Sequence, residues 1–187
     1  METRKILYPV PLDGRKLPSH RIVRGLFNAK ECRKLVRYAE KPGRYEYSND
    51  GVAAHDVHIC ELEVDDAPWV YERIGRAAVE QNVWGFALSG FAERMRIQKY
   101  EVGGHTDSHT DYDYDLLDTS KITAVVPLVD RKKWSGGQFC FGNDHRAPRL
   151  QRGDCLLFPG FVPHYVTPVT DGYRVSLSAW VEGPIIR

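Results

Sequence analysis

Two copies of the tripeptide His-x-Asp stand side by side in this chain, His105-Thr106-Asp107 and His109-Thr110-Asp111. A third histidine, His164, and an arginine, Arg174, follow much later. Two imidazoles and one carboxylate on one face of a ferrous ion leave about three coordination positions open, the vacancy that redox chemistry with oxygen needs. In an extended strand alternate side chains share a face, so the histidine and aspartate of either copy point the same way and can reach one ion. The pattern alone does not choose between the copies, and a solvated loop rich in His and Asp would read the same.

His164 lies in Phe158-Pro159-Gly160-Phe161-Val162-Pro163-His164-Tyr165-Val166, where an apolar strand ends in a turn and another strand begins. Thr170-Asp171-Gly172 has the composition of a hairpin turn. A turn centred on Asp171 sets Arg174 opposite Pro168, four residues along the strand from His164, or about 13 Å at roughly 3.3 Å per residue. A dicarboxylate chelating a metal held by His164, met by a long side chain reaching inward, spans such a gap. Arginine suits the distal carboxylate because its planar fork donates two parallel hydrogen bonds.

The elements that must position these residues read as helices first and strands afterwards, the order of an α+β domain. Asn28 is placed as a helix N-cap, with Glu31 completing a capping box and Phe27 and Cys32 a hydrophobic staple. Cys32, Leu35, Val36 and Ala39 follow at helical spacing, and Pro42-Gly43 stops that helix. A second helix starts near Asp66-Ala67-Pro68, with Trp69, Val70, Ile74, Ala77 and Ala78 as its apolar stripe. From about Phe91 the pattern changes to short strands: Arg94 to Tyr100, Ile122 to Val129, Gln138 to Phe141, Cys155 to Phe158, Tyr165 to Val169 and Tyr173 to Val181. Many short strands with turn chemistry between them indicate a jelly roll. The expected arrangement is one domain over 1–187, with 1–90 mainly helical support packed on one sheet and 91–187 a jelly-roll catalytic core. The polar, aromatic stretch Tyr112-Asp113-Tyr114-Asp115-Leu116-Leu117-Asp118 reads as a loop beside the site, and its first four residues are candidate substrate contacts.

Composition excludes several classes of function. At 187 residues the chain is long enough to bury roughly 70% of its unfolded surface without a disulfide or structural metal. Its 26 basic and 25 acidic residues nearly cancel, which removes the electrostatic case for a general nucleic-acid or membrane-surface binder. No signal peptide or apolar span is apparent, so a cytoplasmic protein is expected. The 4 cysteines, Cys32, Cys60, Cys140 and Cys155, lack zinc-site spacing and are read as free thiols packed as small apolar groups.

With these residues in view, the chain resembles the Fe(II)/2-oxoglutarate-dependent oxygenases, and among them the prolyl 4-hydroxylase-like group with its PKHD-type hydroxylases. The resemblance extends from Arg21 to Glu40, through Trp69 and Asn82, to Tyr100. Its most specific parts are Tyr100-x-x-Gly103, His109-x-Asp111, Gly136-Gly137-Gln138-Phe139, Gly153-Asp154 leading to Phe158-Pro159, and His164-x-x-x-Pro168-Val169-x-x-Gly172-x-Arg174. In that family the metal histidine follows the tyrosine by nine positions, which selects His109 over His105. The resemblance therefore implies Fe(II) on His109, Asp111 and His164, with His105 and Asp107 as neighbouring groups. It implies 2-oxoglutarate on Arg174 with Tyr100 and Thr123 assisting, O2 as the second cosubstrate, and L-ascorbate as a candidate reductant.

The implied fold is a double-stranded β-helix with N-terminal helices on one sheet. The implied activity is hydroxylation of an unactivated C–H bond, with proline in a protein or peptide the leading substrate. A free amino acid or small natural-product intermediate is the enzymatic alternative, and a catalytically silent jelly-roll binding module the alternative from another class. Asp111 is present where the related halogenases carry a small residue. The second arginine of AlkB-like nucleic-acid dealkylases, six positions beyond the first, is here Trp180, which argues against a nucleic-acid substrate.

Overall fold

The computed structural model describes residues 17–49, 54–91, 94–112, 118–142 and 148–184. After a short strand, β1 (Arg21–Val23), Asn28 caps α1 (Ala29–Ala39). Its side chain accepts from the N–H groups of Lys30 and Glu31 at 2.9 and 3.0 Å, and Glu31 Oε2 accepts from Asn28 N at 2.8 Å. Two of the helix's orphan donors and the cap's own are thereby satisfied. Phe27 and Cys32, the staple, are both buried, and the helix stops ahead of Pro42. The second helix, α2 (Pro68–Glu80), has proline in its first turn and buries Val70, Ile74, Ala77 and Ala78. Arg73 of α2 donates to Leu26 O at 3.0 Å and Glu31 Oε2 at 2.9 Å, tying the two helices together.

Between and after the helices come β2 (Glu46–Ser48), β3 (Ala54–Leu62), β4 (Met95–His109), β5 (Asp118–Pro127), β6 (Trp134–Gly136), β7 (Phe139–Phe141), β8 (Cys155–Pro159), β9 (His164–Val166), β10 (Val169–Gly172) and β11 (Arg174–Pro184). The main sheet runs β1-β8-β5-β11-β4-β3-β2, antiparallel throughout. α1 packs against β4, and α2 against β5 and β11. The long β4 leaves this sheet at its far end: Thr106 and His109 pair with Val166 and His164 of β9, which in turn pairs with β7. One strand thus serves both layers and curls the sheet into a double-stranded β-helix with the helices on one side. No helix of the described residues is long and apolar enough to cross a membrane.

Beside the two helices of the first ninety residues, β1, β2 and β3 extend the main sheet. Two expectations need revision. The strand expected to end at Tyr100 continues to His109. The hairpin at Thr170-Asp171-Gly172 does not form: this segment is β10, paired with β6 so that Gly172 faces Trp134. Its glycine serves a close approach instead. Gly172 has φ +70, and a Cβ there would sit 2.0 Å from Lys133 O.

All four cysteines are buried thiols outside disulfides. Burial pushes the thiol of Cys32 up to about 11 and that of Cys155 up to about 12, so these two pack as apolar groups and do not supply thiolates at neutral pH.

The Gly153-Asp154 motif fastens the chain before α1 to the strand behind the site. Phe27 N donates to Gly153 O at 3.0 Å. The Asp154 carboxylate accepts from Gly25 N, Gln151 N and Arg24 at 2.9, 2.9 and 2.6 Å. Burial alone would raise the pKa of Asp154, but these donors outweigh it and hold the carboxyl below its usual value. Asp154→Asn should therefore cost about 1–3 kcal/mol of stability at pH 7. A depressed folded pKa contributes stability above the unfolded value, near about 3.9, and loses it as pH falls through the folded one. Urea melts of the two chains should begin to converge as pH falls below about 4 and meet once it is below the folded pKa; a gap that persisted in stronger acid would assign the loss to something other than the charge.

Candidate metal centre and its cavity

The pairing of β4 with β9 sets His109 directly across from His164, ring centroids 4.4 Å apart. Asp111 lies past the end of β4, where the chain bends, so the alternation of a strand does not place it. Its N–H donates to Gly160 O at 2.9 Å, and this tether to the loop after β8 accompanies the turn of its carboxylate toward the histidines. Asp111 Oδ1 is 3.7 Å from His109 Nε2 and Oδ2 is 3.5 Å from His164 Nε2. One ligand atom from each of the three residues lies within 4.8 Å of the others.

Both imidazoles are oriented by the same device. His109 Nδ1 meets Asp107 O at 2.7 Å and His164 Nδ1 meets Val162 O at 3.0 Å. A carbonyl only accepts, so each Nδ1 carries the proton and each Nε2 offers a lone pair to the centre. The His164 ring packs against those of Phe139 and Phe158. Burial holds its pKa below the ordinary histidine value, against the pull of the Asp111 charge. Neutral imidazole is the form that binds metal. Two nitrogen donors with fixed tautomers and one carboxylate suit a divalent transition ion.

The trio opens on a cleft that it shares with Tyr100, Thr123 and Arg174. Alternate residues of β11, namely Arg174, Ser176, Ser178 and Trp180, form one wall. Trp180 stands opposite Thr123 of β5, whose Oγ1 donates to Asp111 Oδ2 at 2.5 Å. Arg174 stands opposite Tyr100 of β4, not opposite Pro168. Its guanidinium lies 4.8 Å above the Tyr100 ring and donates to Ser176 Oγ at 3.0 Å. Arg174 is only 4% exposed, yet no carboxylate among the described residues forms an ion pair with it. Burial lowers the Arg174 pKa and raises that of Tyr100, the arginine's charge opposing the latter shift.

Residues 95–182, which contain every residue of this cleft, match the family model of the 2OG-Fe(II) oxygenase superfamily. Over these residues the chain is similar to that superfamily. A PKHD-type hydroxylase of Synechococcus sp. (strain CC9311) is 29% identical over 112 residues, 56% of this chain and 51% of the relative. The chain thus spans about half the length of the curated relatives it matches. Among solved structures, a Pseudomonas putida prolyl-4-hydroxylase shares the fold with a TM-score of 0.70 at 19% identity, covering 87% of this chain and 91% of that one. A viral collagen prolyl hydroxylase from Paramecium Bursaria Chlorella virus-1, solved as a 2OG complex, gives 0.69 at 16%, covering 89% and 97%.

The residues singled out in the sequence fall into three groups. His109, Asp111, His164, Arg174, Tyr100 and Thr123 line one cleft. Tyr112 is outside the lining of the cleft, with Lys121 Nζ 5.4 Å from its ring centroid, whereas Asp113, Tyr114 and Asp115 lie outside the described residues. The side chains of His105 and Asp107 meet His55 instead of the cleft, and residue 107 serves the centre only through its carbonyl. The expectation missed Gln98, Ser176 and Ser178, although counting in twos from Arg174 along β11 would have found both serines.

The Thr123 hydroxyl is committed to the Asp111 carboxylate. Thr123→Val keeps the shape and removes that donor, so affinity for a divalent metal should fall by about 10-fold or more. Competition with a chromophoric chelator measures this; an unchanged affinity would mean that Thr123 only packs.

Proposed function

We propose that this chain is an Fe(II)- and 2-oxoglutarate-dependent dioxygenase that hydroxylates an unactivated C–H bond of a protein or peptide side chain, a prolyl residue foremost. The observation that carries this reading is the buried Arg174, without a carboxylate partner among the described residues, in the same cleft as two imidazoles and an aspartate. A buried cation is costly unless an anion meets it, and a dicarboxylate bridging metal and guanidinium supplies that anion. The 2OG complex of the viral relative by fold, and the PKHD-type hydroxylases among the sequence relatives, support the assignment.

In this reading His109, Asp111 and His164 hold the iron, and Thr123 fixes the carboxylate that completes the set. Iron when bound supplies oxygen activation coupled to oxidative decarboxylation of 2-oxoglutarate, giving succinate and carbon dioxide. Arg174 receives the distal carboxylate on its fork, Tyr100 walls that end, and Trp180 walls the end where Asp111 is held. These side chains bind, orient and exclude water; none needs to act as a general base. The decisive assay is succinate formation from 2-oxoglutarate by the iron-reconstituted chain, offered prolyl peptides, free amino acids and nucleosides in parallel. Turnover stimulated by a peptide supports the whole proposal, stimulation only by a free amino acid moves the substrate class, and no turnover with any of them would favour a silent binding module.

A further inference from the structure

The other His-x-Asp copy has a partner of its own. On the face of β4 turned away from the cleft, His55 of β3 pairs directly with His105, and their rings stack with centroids 4.4 Å apart and planes 11° from parallel. His55 Nε2 lies 2.8 Å from Asp107 Oδ2. One ligand atom from each of His55, His105 and Asp107 falls within 4.8 Å of the others.

Two features show that this cluster is built. His105 Nδ1 meets Gly103 O at 2.8 Å, a carbonyl two residues earlier, as His109 and His164 meet theirs. The ring proton is therefore fixed on Nδ1, and Nε2 is left with its lone pair. The second feature is a bulge between His55 and Val57, where Asp56 has φ 53, the only positive φ at a non-glycine among the described residues. There the single residue Asp56 of β3 spans the four residues 101–104 of β4, and this shift of register brings His55 opposite His105. It presses against a glycine: a Cβ at Gly104 would lie 2.8 Å from Asp56 O.

We propose that His55, His105 and Asp107 form a second, outward-facing binding site for a divalent first-row transition ion, zinc being the natural occupant. Two imidazoles and a carboxylate are a common zinc donor set, and zinc imposes no geometry from its d electrons. Stacked rings share no in-plane point, so one must tilt to admit an ion. His55, with its side chain 26% exposed, has the freedom to do so. Asp107 is 59% exposed, so this ion exchanges with solvent more readily than one in the cleft. The ordinary alternative is a His55–Asp107 ion pair capped by a stacked ring.

Native mass spectrometry of the full chain, saturated with zinc and desalted, separates the two. The expected stoichiometry is two ions in the unsubstituted chain and one in His105→Ala, the lost ion being the one that a dilute chelator strips first. His109→Ala should also fall to one, but by losing the ion released last. An unsubstituted chain holding one ion that His105→Ala retains would overturn the proposal and leave only the ion pair. Failure of the cleft assignment has a different signature, a His109→Ala chain that still holds both ions. Should His105→Ala not fold, His55→Gln gives the same readout, and retention of both ions there is equally fatal to the second site.

Discussion

Arg174→Met will raise the 2-oxoglutarate concentration needed for half-maximal turnover by about 100-fold or more, with the metal still bound. Truncating one partner of a buried, hydrogen-bonded charge pair costs about 2–5 kcal/mol, and each 1.4 kcal/mol is about tenfold in affinity. Methionine fills most of the arginine's volume, so the loss belongs to the charge and its fork more than to a void. The same substitution should leave the protein without cosubstrate as stable as before, or more so. Arg174 is buried against Tyr100 and Ser176 with no carboxylate beside it among the described residues, and removing an uncompensated buried charge relieves its desolvation. Thermal melts without 2-oxoglutarate, set beside a titration of turnover, test both halves. An unchanged 2-oxoglutarate requirement would end the role proposed for Arg174.

The second large effect is expected at His109. His109→Ala should lower iron-dependent turnover by more than the roughly 10- to 100-fold that follows loss of a group behind a ligand, because it removes a ligand itself. The fold should survive, since the His109 side chain is 31% exposed at the end of β4 and Asp111 and His164 are placed by other contacts. Free imidazole added to the variant should restore part of the activity by occupying the vacated position. Iron affinity and turnover at the parent's level in His109→Ala would show that the iron lies elsewhere.

Much of the scaffold was legible because its signals are local. The Asn28-Glu31 box, the proline opening α2 and the apolar runs of β5, β8 and β11 depend on neighbours a few residues away. Each appears in the structure within a few residues of where the sequence places it. β3 was not legible: its buried residues are Ala54, Val57, Cys60 and Leu62, and the bulge at Asp56 breaks the two-residue period by which a strand is recognised. β10 was misread for a related reason, since Asp171-Gly172 has turn chemistry but is used where two backbones nearly touch. For the cleft, residue types and spacing marked the trio, and the resemblance, through its spacing from Tyr100, chose between the two His-x-Asp copies. Arg174 was marked by its place beyond His164 and by the resemblance, whereas its burial without a carboxylate partner among the described residues exists only after folding.

The wall made by β11 sets a rule about insertions. Arg174, Ser176, Ser178 and Trp180 share one face of a single strand, so the cleft carries a scale graduated in steps of two residues, about 6.6 Å each. A single residue added between Arg174 and Trp180 would swing one end of the scale to the opposite face. Two residues would keep both ends inward and move them one graduation apart. Length variation in this strand is therefore quantised: the cleft can be rebuilt for a longer or shorter guest by even increments, while odd ones remove either the arginine or the tryptophan from it.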